Sequence, residues 1–285
     1  MQISLGDLVF DLATAGDPGA PLVLMLHGFP QTNYSWRHQL QPLADAGYLA
    51  VAPNQRGYSP GARPPSISEY ATEKLIDDAL EMIDTFGNGG AHVVGHDWGG
   101  QLSWLLAARH PQNVRTLTVL SRPHPQAFIR ALADDRGQAE RSKHHKAFQN
   151  LDSAQLLLKD DARGLRKMFD GQGVTREHQD AYLQVLGEEA ALDAAINWYR
   201  APVQAGASQA LSAREVPAIE VPTLYIWGDE DASVGAMAAT GTEEFVTAPY
   251  RFEILPGVGH FVTDEDGDAV TRFLLEHIEK HDGES

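Results

Sequence analysis

Apolar residues in this chain gather into short unbroken runs. Runs at 22–26, 48–52, 92–94, 116–120, 223–227 and 251–255, rich in Val, Ile, Leu and Tyr, predict buried strands. Between most of them the apolar spacing changes to three or four. Residues 70–86, with Leu75, Ala79, Met82 and Phe86 on one stripe, form the clearest predicted helix, and 102–109 and 269–278 are similar. Strands alternating with helices predict a mostly parallel sheet covered on both faces. The start of the chain differs, because residues 3–5 and 8–12 flank Gly6-Asp7 and predict a hairpin.

The alternation stops between Arg122 and Glu220. That stretch carries helical patterns, the pair His144-His145, charged clusters and no convincing strand. Pro123 and Pro125 mark its entry, Pro217 and Pro222 its exit, and all four favour extended chain. The expectation is a core of residues 1–121 and 221–285 carrying an inserted helical cap, 122–220. A length of 285 residues suits one large α/β domain with such an insertion. Residues 280–285 are expected to fray.

Charge and composition narrow the chemistry. Thirty-nine acidic against 22 basic side chains give a net charge of −17, which repels nucleic acid and anionic membrane surfaces as partners. The absence of cysteine excludes disulfides, thiolate nucleophiles and iron–sulfur clusters. Neither a Gly-rich loop ending in Gly-Lys-Ser/Thr nor a His-Glu-x-x-His motif is present, so no cofactor and no metal are expected. Without a signal-like start or an apolar stretch near the ~20 residues of a bilayer span, a cytoplasmic protein, monomer or homodimer, is expected.

Four motifs follow predicted strands. The strand at 92–94 runs into Gly95-His96-Asp97-Trp98-Gly99-Gly100 and then a helix, the context of a nucleophile elbow, with Asp97 where serine usually stands. The plain alternative is a tight turn with an N-capping aspartate. His27-Gly28-Phe29-Pro30 follows another strand, and such a bend can aim a backbone N–H at an oxyanion; His27 itself reads as a structural histidine. Gly228-Asp229-Glu230-Asp231 and Gly259-His260 close the last two strands. Acidic nucleophile, acid, histidine is the triad order of the same scaffold. All four lie at strand C-termini, where ligand sites of such sheets collect.

With these motifs, and with Tyr34 to Trp36, Arg56-Gly57-Tyr58 and Asn197-Trp198-Tyr199-Arg200, the chain resembles the α/β-hydrolase superfamily, specifically its epoxide hydrolase and dehalogenase branch. The resemblance implies an α/β-hydrolase fold with a helical cap, and it selects Asp231 over Asp229 as the acid. It also implies that Tyr199 is one of two cap groups that hold the epoxide oxygen. The second family position, four residues before Phe148-Gln149, is His144 here, a departure from the usual tyrosine pair that leaves His145 as an alternative. Fluoroacetate dehalogenases place carboxylate-binding arginines where Trp98 and Gln101 stand. Many haloalkane dehalogenases place asparagine where Phe29 stands. Both departures disfavour dehalogenation.

The chemistry follows from the residue types. A carboxylate forms an ester with an alkyl electrophile, and water can cut an ester; serine would leave an inert ether. His260, supported by Asp231, activates that water, and the backbone N–H groups of Phe29 and Trp98, which also line the substrate site, hold the oxyanion. The expected reaction is opening of a small apolar epoxide by water. The alternatives are a haloalkane or haloacid dehalogenase, in which the Trp98 indole could hold halide, and a ligand-binding protein that has lost chemistry.

Overall fold

The computed structural model describes residues 1–206 and 216–282. Among the described residues eight strands form one sheet in the order β1-β2-β4-β3-β5-β6-β7-β8. They are β1 (Gln2–Leu5), β2 (Leu8–Ala15), β3 (Leu22–Leu26), β4 (Leu49–Pro53), β5 (Ala91–His96), β6 (Val114–Leu120), β7 (Thr223–Gly228) and β8 (Tyr250–Leu255). All pairings from β4 through β8 are parallel. The predicted hairpin β1–β2 is antiparallel, and β2 runs three residues beyond its predicted end because Leu12–Ala15 also pair antiparallel with β4.

Alternation explains why the parallel strands are apolar throughout. Along β3, Leu22, Leu24 and Leu26 enter the core on one face, whereas Val23 and Met25 enter a separate core on the other. Each such side chain contributes about 1.5–3 kcal/mol by leaving water. The helices α1 (Leu40–Asp45), α2 (Thr72–Phe86), α3 (Trp98–Arg109) and the C-terminal helix Gly267–His281 flank the sheet. On α2, Leu75, Ile76, Ala79, Met82 and Ile83 are the buried stripe. The C-terminal helix extends to His281, so Lys280 and His281 are helical where fraying was expected; residues 283–285 lie outside the described residues.

Among the described residues six α-helices lie between β6 and β7: α4 (Pro125–Asp134), α5 (Arg136–Arg141), α6 (His144–Ala147), α7 (Ser153–Arg166), α8 (Arg176–Leu186) and α9 (Glu189–Gln204). The predicted helical stretch also spans residues 207–215, outside the described set. Two polar ties fix these helices over the sheet. The Trp198 indole on α9 donates to the Arg56 carbonyl at 2.8 Å, and Arg56 is itself held by Asp78 through two contacts of 2.7 Å. On α8, the Tyr182 hydroxyl donates to the buried Asp264 at 2.7 Å, which also takes the Gln31 amide and Arg37, both at 2.7 Å.

Candidate active site

At the end of β5 the chain turns at once into α3, with Asp97 in the turn at φ 48° and ψ −113°. Backbone in this region costs about 1–3 kcal/mol and is kept only where the surroundings impose it. The surroundings here admit only glycine on either side: a Cβ at Gly95 would lie 2.3 Å from Ser103 Oγ, and one at Gly99 2.0 Å from the Leu26 carbonyl oxygen. Asp97 Oδ1 accepts the Phe29 backbone N–H at 3.1 Å. Trp98 is the first residue of α3, so its N–H has no partner within the helix and adds to the positive end of the helix dipole.

His260 follows β8, and Asp231 follows β7. His260 Nδ1 lies 2.9 and 3.0 Å from the two Asp231 carboxylate oxygens. A carboxylate only accepts, so Nδ1 carries the proton and Nε2 faces Asp97 Oδ2, 3.7 Å away. Asp231 is held in turn by the N–H groups of Ser233 and Val234 at 2.6 and 2.9 Å. Asp229 is exposed and caps the Gly257 N–H at 2.7 Å. Burial alone would lower the His260 pKa, but Asp231 and Asp97 outweigh it and raise it to about 10. Burial likewise works against ionised Asp97, yet the facing imidazole prevails and holds the carboxyl well below the usual range. The two side chains therefore rest as an ion pair at neutral pH.

Two histidines outside the pocket support this arrangement. His96, kept neutral by burial that lowers its pKa to about 4, donates Nε2–H to the His260 carbonyl at 2.8 Å. His27 is buried; its Nδ1–H reaches the Gly28 carbonyl at 3.1 Å, and Nε2 accepts the Gln55 N–H at 3.3 Å. His27 is thus occupied with backbone on both sides. His96 was missed in the sequence because its role depends on a loop 164 residues away.

Asp97 and His260 open into a cavity of about 310 Å³ that also meets Phe29, Tyr199, His144 and His145. Tyr199 is buried among the rings of Phe29, Trp98 and Phe148 at centroid distances of 5.5, 5.0 and 4.8 Å. Burial first, and then Asp97, push its phenol pKa well above 10, so the hydroxyl keeps its proton. Arg200 carries α9 toward α6, donating to the carbonyls of Phe148 and Asn150 at 3.0 Å each. Both histidines of α6 are half-buried rather than free on a helix surface. They differ in what their rings touch. His144 Nδ1–H is spent on the Arg141 carbonyl at 3.0 Å, which leaves neutral His144 with only an accepting Nε2. His145 stacks on Trp98 with ring centroids 6.4 Å apart and lies closer to the Tyr199 ring, 5.2 against 6.1 Å for His144. Burial lowers both pKa values, that of His145 to about 3.

Sequence reasoning also missed Arg122. It lines the cavity, and its Nε and Nη2 both donate to Gln101 Oε1, at 3.0 and 2.9 Å. Trp98 and Gln101 stand where a fluoroacetate dehalogenase has its arginines, yet Arg122 reaches both residues from the end of β6. Its place at a strand C-terminus was the available signal.

A family profile described as alpha/beta hydrolase fold matches residues 21–266. The chain belongs to the α/β-hydrolase family. This α/β hydrolase is 32% identical to AB hydrolase superfamily protein YfhM of Bacillus subtilis, over 97% of the chain and 96% of that protein. It is also 32% identical to epoxide hydrolase A of Mycobacterium tuberculosis, over 93% of the chain and 92% of that protein. The crystal structure of epoxide hydrolase A from Mycobacterium thermoresistibile superposes with a TM-score of 0.82 at 28% identity, covering 98% of this chain and 97% of that one. Among the described residues no helix is long and apolar enough to cross a membrane.

Proposed function

We propose that this α/β hydrolase opens epoxides to vicinal diols through an ester on Asp97, with residues 122–220 as the cap that supplies the proton donors. The observation that carries this reading is a carboxylate at the elbow, Asp97, in one cavity with a buried, protonated phenol, Tyr199. Asp97 Oδ2 attacks a ring carbon while the carbon–oxygen bond of the ring breaks, and Tyr199 gives its proton to the departing oxygen. A second hydrogen bond comes from the α6 histidines. Neutral His145 has an N–H to offer, whereas His144 donates through Nε2 only when protonated.

Ester formation removes the Asp97 charge that helps hold a proton on His260, so that proton passes through solvent to the Tyr199 phenolate, which restores the phenol and leaves the imidazole as a base. Water then attacks the ester carbonyl carbon, and its proton passes to His260 Nε2. Asp97 Oδ1, already on the Phe29 N–H, becomes the oxyanion, with the Trp98 N–H as second donor. Collapse breaks the bond to the alkyl oxygen, which takes the proton from His260 and leaves as diol, and the proton left on the Asp97 carboxyl passes to His260 and restores the ion pair. The names of its relatives support the epoxide reading.

The test is intact-protein mass spectrometry of His260→Ala mixed with styrene oxide. An adduct of the substrate's mass that maps to Asp97 is expected to accumulate, because alkylation proceeds while hydrolysis has lost its base. Turnover by Asp97→Ala at the wild-type rate would refute the mechanism.

A further inference from the structure

We propose that the epoxide substrate carries a carboxylate, which the cavity seats on Arg122. The inference deepens the epoxide hydrolase reading and rests on it. Arg122 shares the cavity wall with Asp97, Tyr199 and His260. Its guanidinium is fixed in place without being neutralised. Two of its nitrogens go to one amide oxygen, that of Gln101, and its central carbon lies 4.3 Å from the Phe128 ring centre and 5.9 Å from that of Trp98. Among the described residues no carboxylate lies within 4.0 Å of it, and Nη1 has no protein hydrogen-bond partner. A planar fork held rigid by its neighbours loses little freedom on taking up a carboxylate.

The rest of the wall points the same way. Arg141 and Lys167 also line the cavity, and among the described residues neither forms an ion pair. With 39 acidic and 22 basic side chains, carboxylates are in surplus, so three unpaired cations around one cavity are unexpected. The acids on that wall are Asp97, which faces His260, and Asp170, which is exposed. The cavity is therefore locally cationic within a protein of net charge −17, and a cleft focuses its own field more than the distant surface does. Arg141 and Lys167, both exposed, draw the anion in, and Arg122 receives it.

The competing role for Arg122 is to serve Asp97, whose ionised form its charge also favours. Terminal epoxyalkanoates of graded chain length and their primary amides separate the two roles, with styrene oxide as a third substrate. Wild type is expected to prefer acid over amide by about 10- to 100-fold in kcat/KM, chiefly through KM. The preference should fall toward unity in Arg122→Met and survive in part in Arg122→Lys. Equal turnover of acid and amide by wild type overturns the proposal. So does an Arg122→Met variant that slows both substrates alike with the preference intact, since Arg122 then acts on Asp97. Calorimetric binding of saturated alkanoates against alkanamides to wild type keeps the two readings distinct. Preferential alkanoate binding with no epoxide opened supports the carboxylate site and refutes the epoxide reading. Efficient opening of styrene oxide and amides without any acid preference does the reverse.

Discussion

Replacing Asp231 by asparagine keeps the shape of the site and removes one charge. The Ser233 and Val234 N–H groups, at 2.6 and 2.9 Å from Asp231 Oδ1, retain an acceptor in the amide oxygen, so the loop stays in place. What is lost is the charge-assisted hydrogen bond to His260 Nδ1, at 2.9 and 3.0 Å from the two oxygens. A hydrogen bond to a charged group contributes about 1.5–3 kcal/mol, or about ten- to hundred-fold in rate. The amide can also present its NH₂ to Nδ1 and trap the wrong tautomer, a fault that costs about ten-thousand-fold in the serine protease triad. Ester hydrolysis in Asp231→Asn is therefore expected to slow by about a hundred- to ten-thousand-fold. Ester formation does not need His260 as a base and should change by less than about tenfold. Asp229→Asn removes an exposed charge from a turn and should change stability by no more than about 0.5 kcal/mol and leave both steps near wild type. Rapid quench of single turnovers, read by protein mass, reports formation and decay of the adduct separately. Loss of activity in Asp229→Asn equal to that in Asp231→Asn would refute the reasoning, as would an Asp231→Asn enzyme in which the adduct never forms.

Two further expectations follow from the same geometry. His260, raised to about 10 beside ionised Asp97, loses part of that support once Asp97 is esterified, so the pH at which it stops acting as a base lies below about 10. Asp97 is held below the usual carboxylate range and stays ionised in mild acid, so lowering the pH should slow ester decay before ester formation, and adduct should build up in acid-quenched wild type; a constant adduct fraction from alkaline to mildly acidic pH would contradict this. Tyr199→Phe removes the phenolic proton but leaves the ring packing, and single-turnover alkylation by an epoxide should fall about a hundred- to ten-thousand-fold while an alkyl bromide of the same skeleton is far less affected; equal losses on both would assign Tyr199 to positioning.

Much of the fold was legible because both faces of the sheet are covered. β3 reads as an unbroken apolar run since its alternate residues enter two different cores, and its predicted and observed limits coincide. The first turn of α3 was not legible, because Gly99 and Gly100 are poor helix formers kept there for close approach to other backbone and side chains. Helix α1 is six residues long with Leu43 as its buried residue, too short to show a period. For the site, position relative to strand ends pointed to Asp97, Asp231 and His260, which the fold brings together. Side-chain direction was not available from spacing. The difference between His144 and His145 rests on a carbonyl three residues back, and Arg122 shows itself only when the end of β6 is laid beside Gln101.

In the proposed mechanism Trp98 belongs to both halves of the chemistry. Its backbone begins the helix whose N-terminus meets Asp97, and its indole packs edge-on against the Tyr199 ring on α9, centroids 5.0 Å apart. Asp97 and Tyr199 are thus latched to each other through one residue. If the cap lifts to admit substrate or release diol, the latch must open, and the phenol then loses the partner that aims it. Residence time of product and readiness of the acid become a single variable. A cap that opens faster does so at the expense of an acid less often in position.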